Sequence, residues 1–162
     1  PEKYLENYKK EFKKIDEKYI REYFLNSNFK DNLLLYICLT NDSFQSLNQN
    51  YLINFSKSKI SFRKISKFTK SFLKKDPKLK KLVLKVRKES FLNTIYNKLP
   101  WEDLSIGFQC KVLRYPNLYN VNFWHHFTNI YTTSTNVRSI TDCGSCESLN
   151  HFFDNQIHQN FN

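Results

Sequence analysis

Seven consecutive apolar residues, Leu33-Leu34-Leu35-Tyr36-Ile37-Cys38-Leu39, constrain this chain more than any other segment. The run is too short for a typical helix and too apolar for a surface strand, so it fits a buried central β-strand. The rest of the chain can supply the core such a strand needs, because 40% of its 162 residues are hydrophobic. The apolar set is unusual in kind, with fifteen Phe and ten Tyr but no Met. Lys, Asn, Ile, Phe and Tyr are abundant and Gly is scarce, which is the mark of an AT-rich genome and makes an organellar origin the expectation.

Around that strand the pattern predicts a helix over 3–24, where Leu5, Tyr8, Phe12, Ile15, Tyr19 and Tyr23 recur at three- or four-residue spacing. Asp42 or Ser43 is expected to cap a second helix whose apolar side is Phe44, Leu47, Tyr51 and Ile53 to Phe55. Asp76-Pro77 reads as a helix start, and the segment after it as either one helix or a strand followed by a helix. Residues 108–115 alternate as a strand stopped by Pro116. Thr-rich, β-prone sequence at 127–140, a turn at 143–146, a short helix at 147–153 and an edge strand in the tail complete an α+β order of βαββαβ. The expected organisation is a helical extension at 1–32 and a domain at 33–162 interrupted by a basic insertion at about 56–98. No run of roughly eighteen apolar residues suggests a membrane span, and the first residues resemble neither a signal nor a transit peptide.

The formal charge of +11 comes from one stretch. Residues 56–98 hold fifteen Lys or Arg against only Asp76 and Glu89. Clustered cations neutralise phosphates and release counterions, so nucleic acid is the expected partner; a solvated lysine face and an anionic membrane surface are the competing readings. Lys57, Lys59, Arg63, Lys64, Lys67 and Lys70 form the basic run, and the interleaved Phe62, Phe68 and Phe72 are expected in a core or against protein.

Three segments then resemble the ribosomal protein S-ten family of the small subunit. Leu39 to Gln49, LTNDSFQSLNQ, is similar to the opening of that family's first helix. Leu99-Pro100 followed by Val112-Leu113-Arg114-Tyr115-Pro116 is similar to its LPT and VLRSP segments. HFTNIYTTSTNVRSI, from His126, lies where the family has its next strand. The resemblance covers about residues 33–60 and 99–162 and implies a ferredoxin-like domain in the head of the small subunit. It implies a structural, non-enzymatic role in translation, with small-subunit rRNA and the S-three and S-fourteen families as partners, no membrane and no homo-oligomer. Lys111, Arg114, Asn117 and Arg138 would be its RNA contacts, although Asn117 replaces the family's His and most of its Thr-His-Lys-Arg cations are lost. Arg114 is the leading candidate, since a guanidinium can fork onto phosphate and stack on a base. The alternative is a protein-interaction adaptor of the same fold.

No catalytic constellation assembles, and no cofactor is expected. The one metal-ligand spacing is Cys143-Gly144-Ser145-Cys146, whose thiolates could reach a single ion, with Cys38, Cys110, His125, His126 or His151 completing the set; free thiols are the expected state. A mitochondrial location, on the organelle's ribosome, is expected, with a plastid or an AT-rich bacterial cytoplasm as alternatives.

Overall fold

The apolar run does become a central strand. In a computed structural model, which describes residues 17–69, 71–74 and 76–131, Leu33–Thr40 (β1) sits in the middle of a five-stranded mixed sheet. Its antiparallel neighbour is Ser46–Asn54 (β2), which pairs outward with Ser61–Ile65 (β3). On the other side it runs parallel to Lys80–Arg87 (β4), which carries the antiparallel edge strand Cys110–Tyr115 (β5). The order is β3-β2-β1-β4-β5. The fold is α+β, compatible with the ferredoxin-like class that was expected.

Side chains alternate across a strand, so β1 needs cover on both faces. Its first face, Leu33, Leu35, Ile37 and Leu39, joins Tyr51 and Ile53 of β2 and Leu82, Leu84 and Val86 of β4 in the main core. Four helices cover that face: Glu17–Leu25 (α1), Lys88–Tyr96 (α3), Glu102–Ile106 (α4) and Val121–Asn129 (α5). Three bring apolar residues at helical spacing, Ile20, Tyr23 and Phe24 from α1, Phe91, Leu92 and Ile95 from α3, Phe123, Trp124 and Phe127 from α5, and α4 adds Leu104. Without Met or Ala to fill gaps, the packing is done by rings. Trp101 is fully buried among Tyr23, Phe24, Phe91, Phe123 and Phe127, with centroids 5.0–6.2 Å away. Its indole Nε1 donates to the Tyr23 hydroxyl at 2.7 Å. Tyr23→Phe would orphan that buried donor and is expected to cost about 1–3 kcal/mol in urea-induced unfolding.

The second face, Tyr36, Cys38 and Val83, is covered more thinly by Ile65, Phe68, Phe72 and Leu73. Most of these lie on a strap, described at residues 66–69, 71–74 and 76–79, that contains the short helix Ser71–Lys74 (α2). Tyr36 donates to Asn50 Oδ1 at 3.0 Å, and Asn50 Nδ2 donates to the Ser66 carbonyl at 2.9 Å, pinning the start of the strap to the sheet. Burial pushes the Tyr36 phenol up to about 12, and burial likewise pushes the Cys110 thiol up to about 11. Both groups keep their protons when folded at a pH where the unfolded chain gives them up. Their contribution is therefore intact below the unfolded values and lost as pH rises through the folded ones. Unfolding free energies should fall between about pH 9 and 12, and Tyr36→Phe should flatten the upper part of that fall.

Two expectations change here. The helix expected from Asp42 or Ser43 to Phe55 is instead a turn followed by β2. Tyr51, Ile53 and Phe55 bury at a spacing of two, which the coincident helical spacing of Phe44, Leu47 and Tyr51 obscured. Phe44 and Asn48 have φ of 60° and 59°, which a right-handed helix does not admit. Asn41 organises the turn, its Oδ1 accepting from the N–H groups of Ser43 and Gln45 at 3.0 and 2.9 Å. Residues 56–98, expected to interrupt the domain, supply β3, the inner strand β4 and α3. The segment after Pro77 resolves into a strand followed by a helix. Residues 17–25 pack into the main core, and no helix among the described residues is long and apolar enough to cross a membrane. The features expected beyond residue 131, and the first part of the N-terminal helix, lie outside the described residues.

Candidate functional site

The thin cover on the second face leaves a groove. Where the strap lifts off β1, β2 and β3, a cavity of about 760 Å³ opens, floored by Leu34 and Leu52 and walled by Phe72 and Leu79. Polar groups rim it: Asn54, Ser61, Thr69 and Ser71, with Lys57, Arg63 and Asp76. An apolar floor inside a polar rim, in this size range, suits a polar small molecule with an apolar part.

Local structure explains why each group is there. Leu34, Leu52, Asn54, Ser61 and Arg63 all occupy second-face positions, with Asn54 opposite Ser61 and Leu52 opposite Arg63 across the β2–β3 pair. Lys57 follows from the β2–β3 turn, which Asn54 closes by accepting from the Ser56 N–H at 2.9 Å. Asp76 sits at φ 55°, and its carbonyl accepts from the ammonium of Lys81, a β4 residue with no exposed surface. That bond ties the far wall of the groove to the sheet. Neither Lys57 nor Arg63 has an acidic partner among the described residues, whereas Lys64 pairs with Glu17 at 3.2 Å. The groove therefore carries two uncompensated cations against one carboxylate, a setting for an anionic ligand with an apolar part.

The expected contact residues do not form one surface. Lys57 and Arg63 meet in the groove, but Lys64 points to the opposite face, where its neighbour in register is Tyr51. Lys59, Lys67 and Asn117 are exposed and line none of the described cavities. Lys111 and Arg114 lie on opposite faces of β5, Lys111 beside Lys85 and Arg114 half-buried over the Tyr119 ring at 5.4 Å. Lys70 and Arg138 lie outside the described residues. The hydroxyl and amide rim was missed; its one sequence signal is the Ser61–Arg63 spacing of two, legible only once β3 is known to be a strand.

The thiols and imidazoles also separate. Cys38 is buried on the second face and half-buried Cys110 packs on the first. His126 contacts the Ser27 carbonyl at 2.8 Å while His125 is exposed. Among the described residues no three His, Cys, Asp or Glu converge on one point; Cys143, Cys146 and His151 lie outside them. Burial pushes the Cys110 thiol up to about 11, so Cys110 should resist labelling by iodoacetamide at about pH 8; peptide mass mapping would show it.

No protein-family model matches the chain. Among curated proteins, it is 30% identical over 139 residues to the cytidine monophosphate-N-acetylneuraminic acid hydroxylase of Macaca mulatta, covering 82% of this chain and 21% of that protein. It is 32% identical over 114 residues to the pig (Sus scrofa) protein of the same name, covering 67% of this chain and 23% of the relative. A human protein named as an inactive form of this hydroxylase is 29% identical over 139 residues, with 82% and 25% covered. The chain thus spans about a fifth to a quarter of the relatives it matches.

These matches overturn the S-ten resemblance, and with it the ribosomal, rRNA-binding and translational role; they also run against the expected non-enzymatic role, since the relatives are named as hydroxylases. The fold shows why the resemblance misled. LTNDSFQSLNQ spans the end of β1, a turn and the start of β2, and is not a helix. HFTNIY begins inside α5 where a strand was required. Only VLRYP falls on the expected strand, and a five-residue match on an edge strand carries no register.

Proposed function

We propose that this chain is a segment of a hydroxylase-type protein acting on a cytidine nucleotide linked to an acidic sugar, and that the groove beneath the strap contributes to binding that substrate. The observation that carries this reading is the 139-residue match to the macaque hydroxylase, which extends across most of the chain. Likeness alone does not assign catalysis, because the human protein named as inactive matches over the same length. The role assigned to the described residues is therefore recognition.

The groove's chemistry supports it. A nucleotide-linked acidic sugar carries a phosphodiester and a carboxylate, and Arg63 and Lys57 offer one cation for each. Phe72 gives an apolar wall for a base, and Asn54, Ser61, Thr69 and Ser71 offer hydrogen bonds to sugar hydroxyls. A cavity of about 760 Å³ accommodates a ligand of that class.

The test is calorimetric titration of the chain with cytidine monophosphate-N-acetylneuraminic acid, using cytidine as the uncharged control. Binding should be saturable, weaker for cytidine, and reduced roughly tenfold by Arg63→Ala, the loss of one charge-assisted hydrogen bond. Saturable binding unaffected by both Arg63→Ala and Lys57→Ala would move the site elsewhere, and no binding at all would end the reading.

A further inference from the structure

A second cationic feature lies at the other end of the same face. Thr40 lies six steps along β1 from Leu34, in the groove, so the two sites are about 20 Å apart. At the Thr40 end the parallel strands β1 and β4 both finish, and β4 runs directly into α3. Lys85 and Lys111 are direct cross-strand partners there, and Arg87 is the next β4 residue on the same face. Like charges placed opposite one another destabilise a sheet. None of the three has an acidic partner among the described residues.

The corner is built and held, not a loose lysine fringe. Arg87 Nε donates to the Asp42 carbonyl at 3.0 Å and Nη1 to Gln109 Oε1 at 3.1 Å. Gln109 is itself fixed, accepting from Ser90 Oγ at 3.0 Å and donating to the Gly107 carbonyl at 2.7 Å. The Phe44 ring carries two cations, the Arg87 guanidinium and the Lys111 ammonium, each 4.7 Å from its centroid, and its φ of 60° is costly for an aromatic residue. An arginine so restrained has already lost the freedom that binding would cost. Arg87 is also the N-cap of α3, and no side chain caps that helix, leaving first-turn N–H groups without side-chain acceptors. Glu89 in that turn interacts favourably with the helix dipole. Beside Arg87, fully buried Thr40 has a hydroxyl with no hydrogen-bond partner among the described residues.

We propose that this corner binds the phosphoryl group of a small phosphorylated ligand, held by Lys85, Arg87 and Lys111 against the amino end of α3. The chemistry fits: helix N-termini take phosphate oxygens, and a guanidinium with free Nη donors reads two of them. The position fits as well, since ligands of open sheets with parallel strands gather beyond the strands' carboxyl ends. The site is separate from the groove, and either can fail alone.

Titration of the chain with inorganic phosphate, followed by amide chemical shifts, tests it. Saturable shifts should be confined to residues 40–44, 85–90 and 109–111. Lys85→Ala and Lys111→Ala, both at exposed positions, should each weaken binding about tenfold, while Arg63→Ala in the groove leaves it unchanged. Thr40→Val should weaken binding without lowering stability, because it removes an unpaired buried hydroxyl. Absence of saturable shifts, or shifts indifferent to Lys85→Ala and Lys111→Ala, would overturn the proposal. So would binding seen only with a long polyanion such as heparin and reduced equally by loss of any lysine.

Discussion

Trp101→Ala is expected to lower the unfolding free energy by about 3–5 kcal/mol, the range for removing a large buried aromatic. That is about a fifth or more of the stability of a typical domain. The residue follows Leu99-Pro100 and leads into α4, so its own segment holds it weakly; the ring is fixed by what surrounds it. It meets rings from α1, α3 and α5 at once, joining those three helices through ring contacts. A cavity there cannot be closed by one helix settling inward, because each is also packed on the sheet. The loss also removes the indole hydrogen bond to the Tyr23 hydroxyl. Phe108, an aromatic seven residues on and 82% exposed, is the control, and Phe108→Ala should change stability by no more than about 0.5 kcal/mol. Urea denaturation of both variants gives the comparison; equal effects would mean that the first face is not packed through Trp101.

How far the sequence could be read depended on whether a segment's burial was one-sided. β1 was legible because it is apolar on both faces, and α1 because Tyr19 and Tyr23 mark one helical stripe. β2 was not, since its first four residues, Ser46 to Gln49, are solvent-facing or half-exposed and only its last half alternates inside the core. β4 was ambiguous for a different reason: Lys80 and Lys81 open it and Lys85 interrupts its apolar residues, and a strand with one lysine wholly buried imitates a solvated surface. The same lysines made 56–98 look like one basic patch. In the fold they are dealt out by strand register to two faces and two ends, so charge counted along the chain did not forecast charge gathered in space. The groove was legible only as Lys57 and Arg63, because its rim of hydroxyls and an amide comes from three segments that only the folded sheet and strap bring together.

Lys81 is where that reading has its largest consequence for charge. It has no exposed surface, yet its ammonium is neutralised by no carboxylate among the described residues. It donates to the Asp76 carbonyl and lies over the Tyr115 ring, 5.2 Å from its centroid. Those two interactions, a charge-assisted hydrogen bond and a cation–π contact, must offset the desolvation of the amine. Lys81→Glu reverses every term: a carboxylate would face a carbonyl oxygen and the negative face of a ring. It is expected to destabilise the chain by about 3–5 kcal/mol. Lys81→Met keeps the length, drops the charge and loses the hydrogen bond, so it should stay within about 1.5 kcal/mol of the parent. The pair separates two consequences of the same contact. Asp76 lines the groove and is tied to β4 through Lys81, so Lys81→Met should loosen that wall and weaken binding of the nucleotide-linked sugar while the fold survives. Chemical denaturation and calorimetry on one preparation would read both; a Lys81→Glu chain as stable as Lys81→Met would show that the ammonium is solvated and that the wall stands without it.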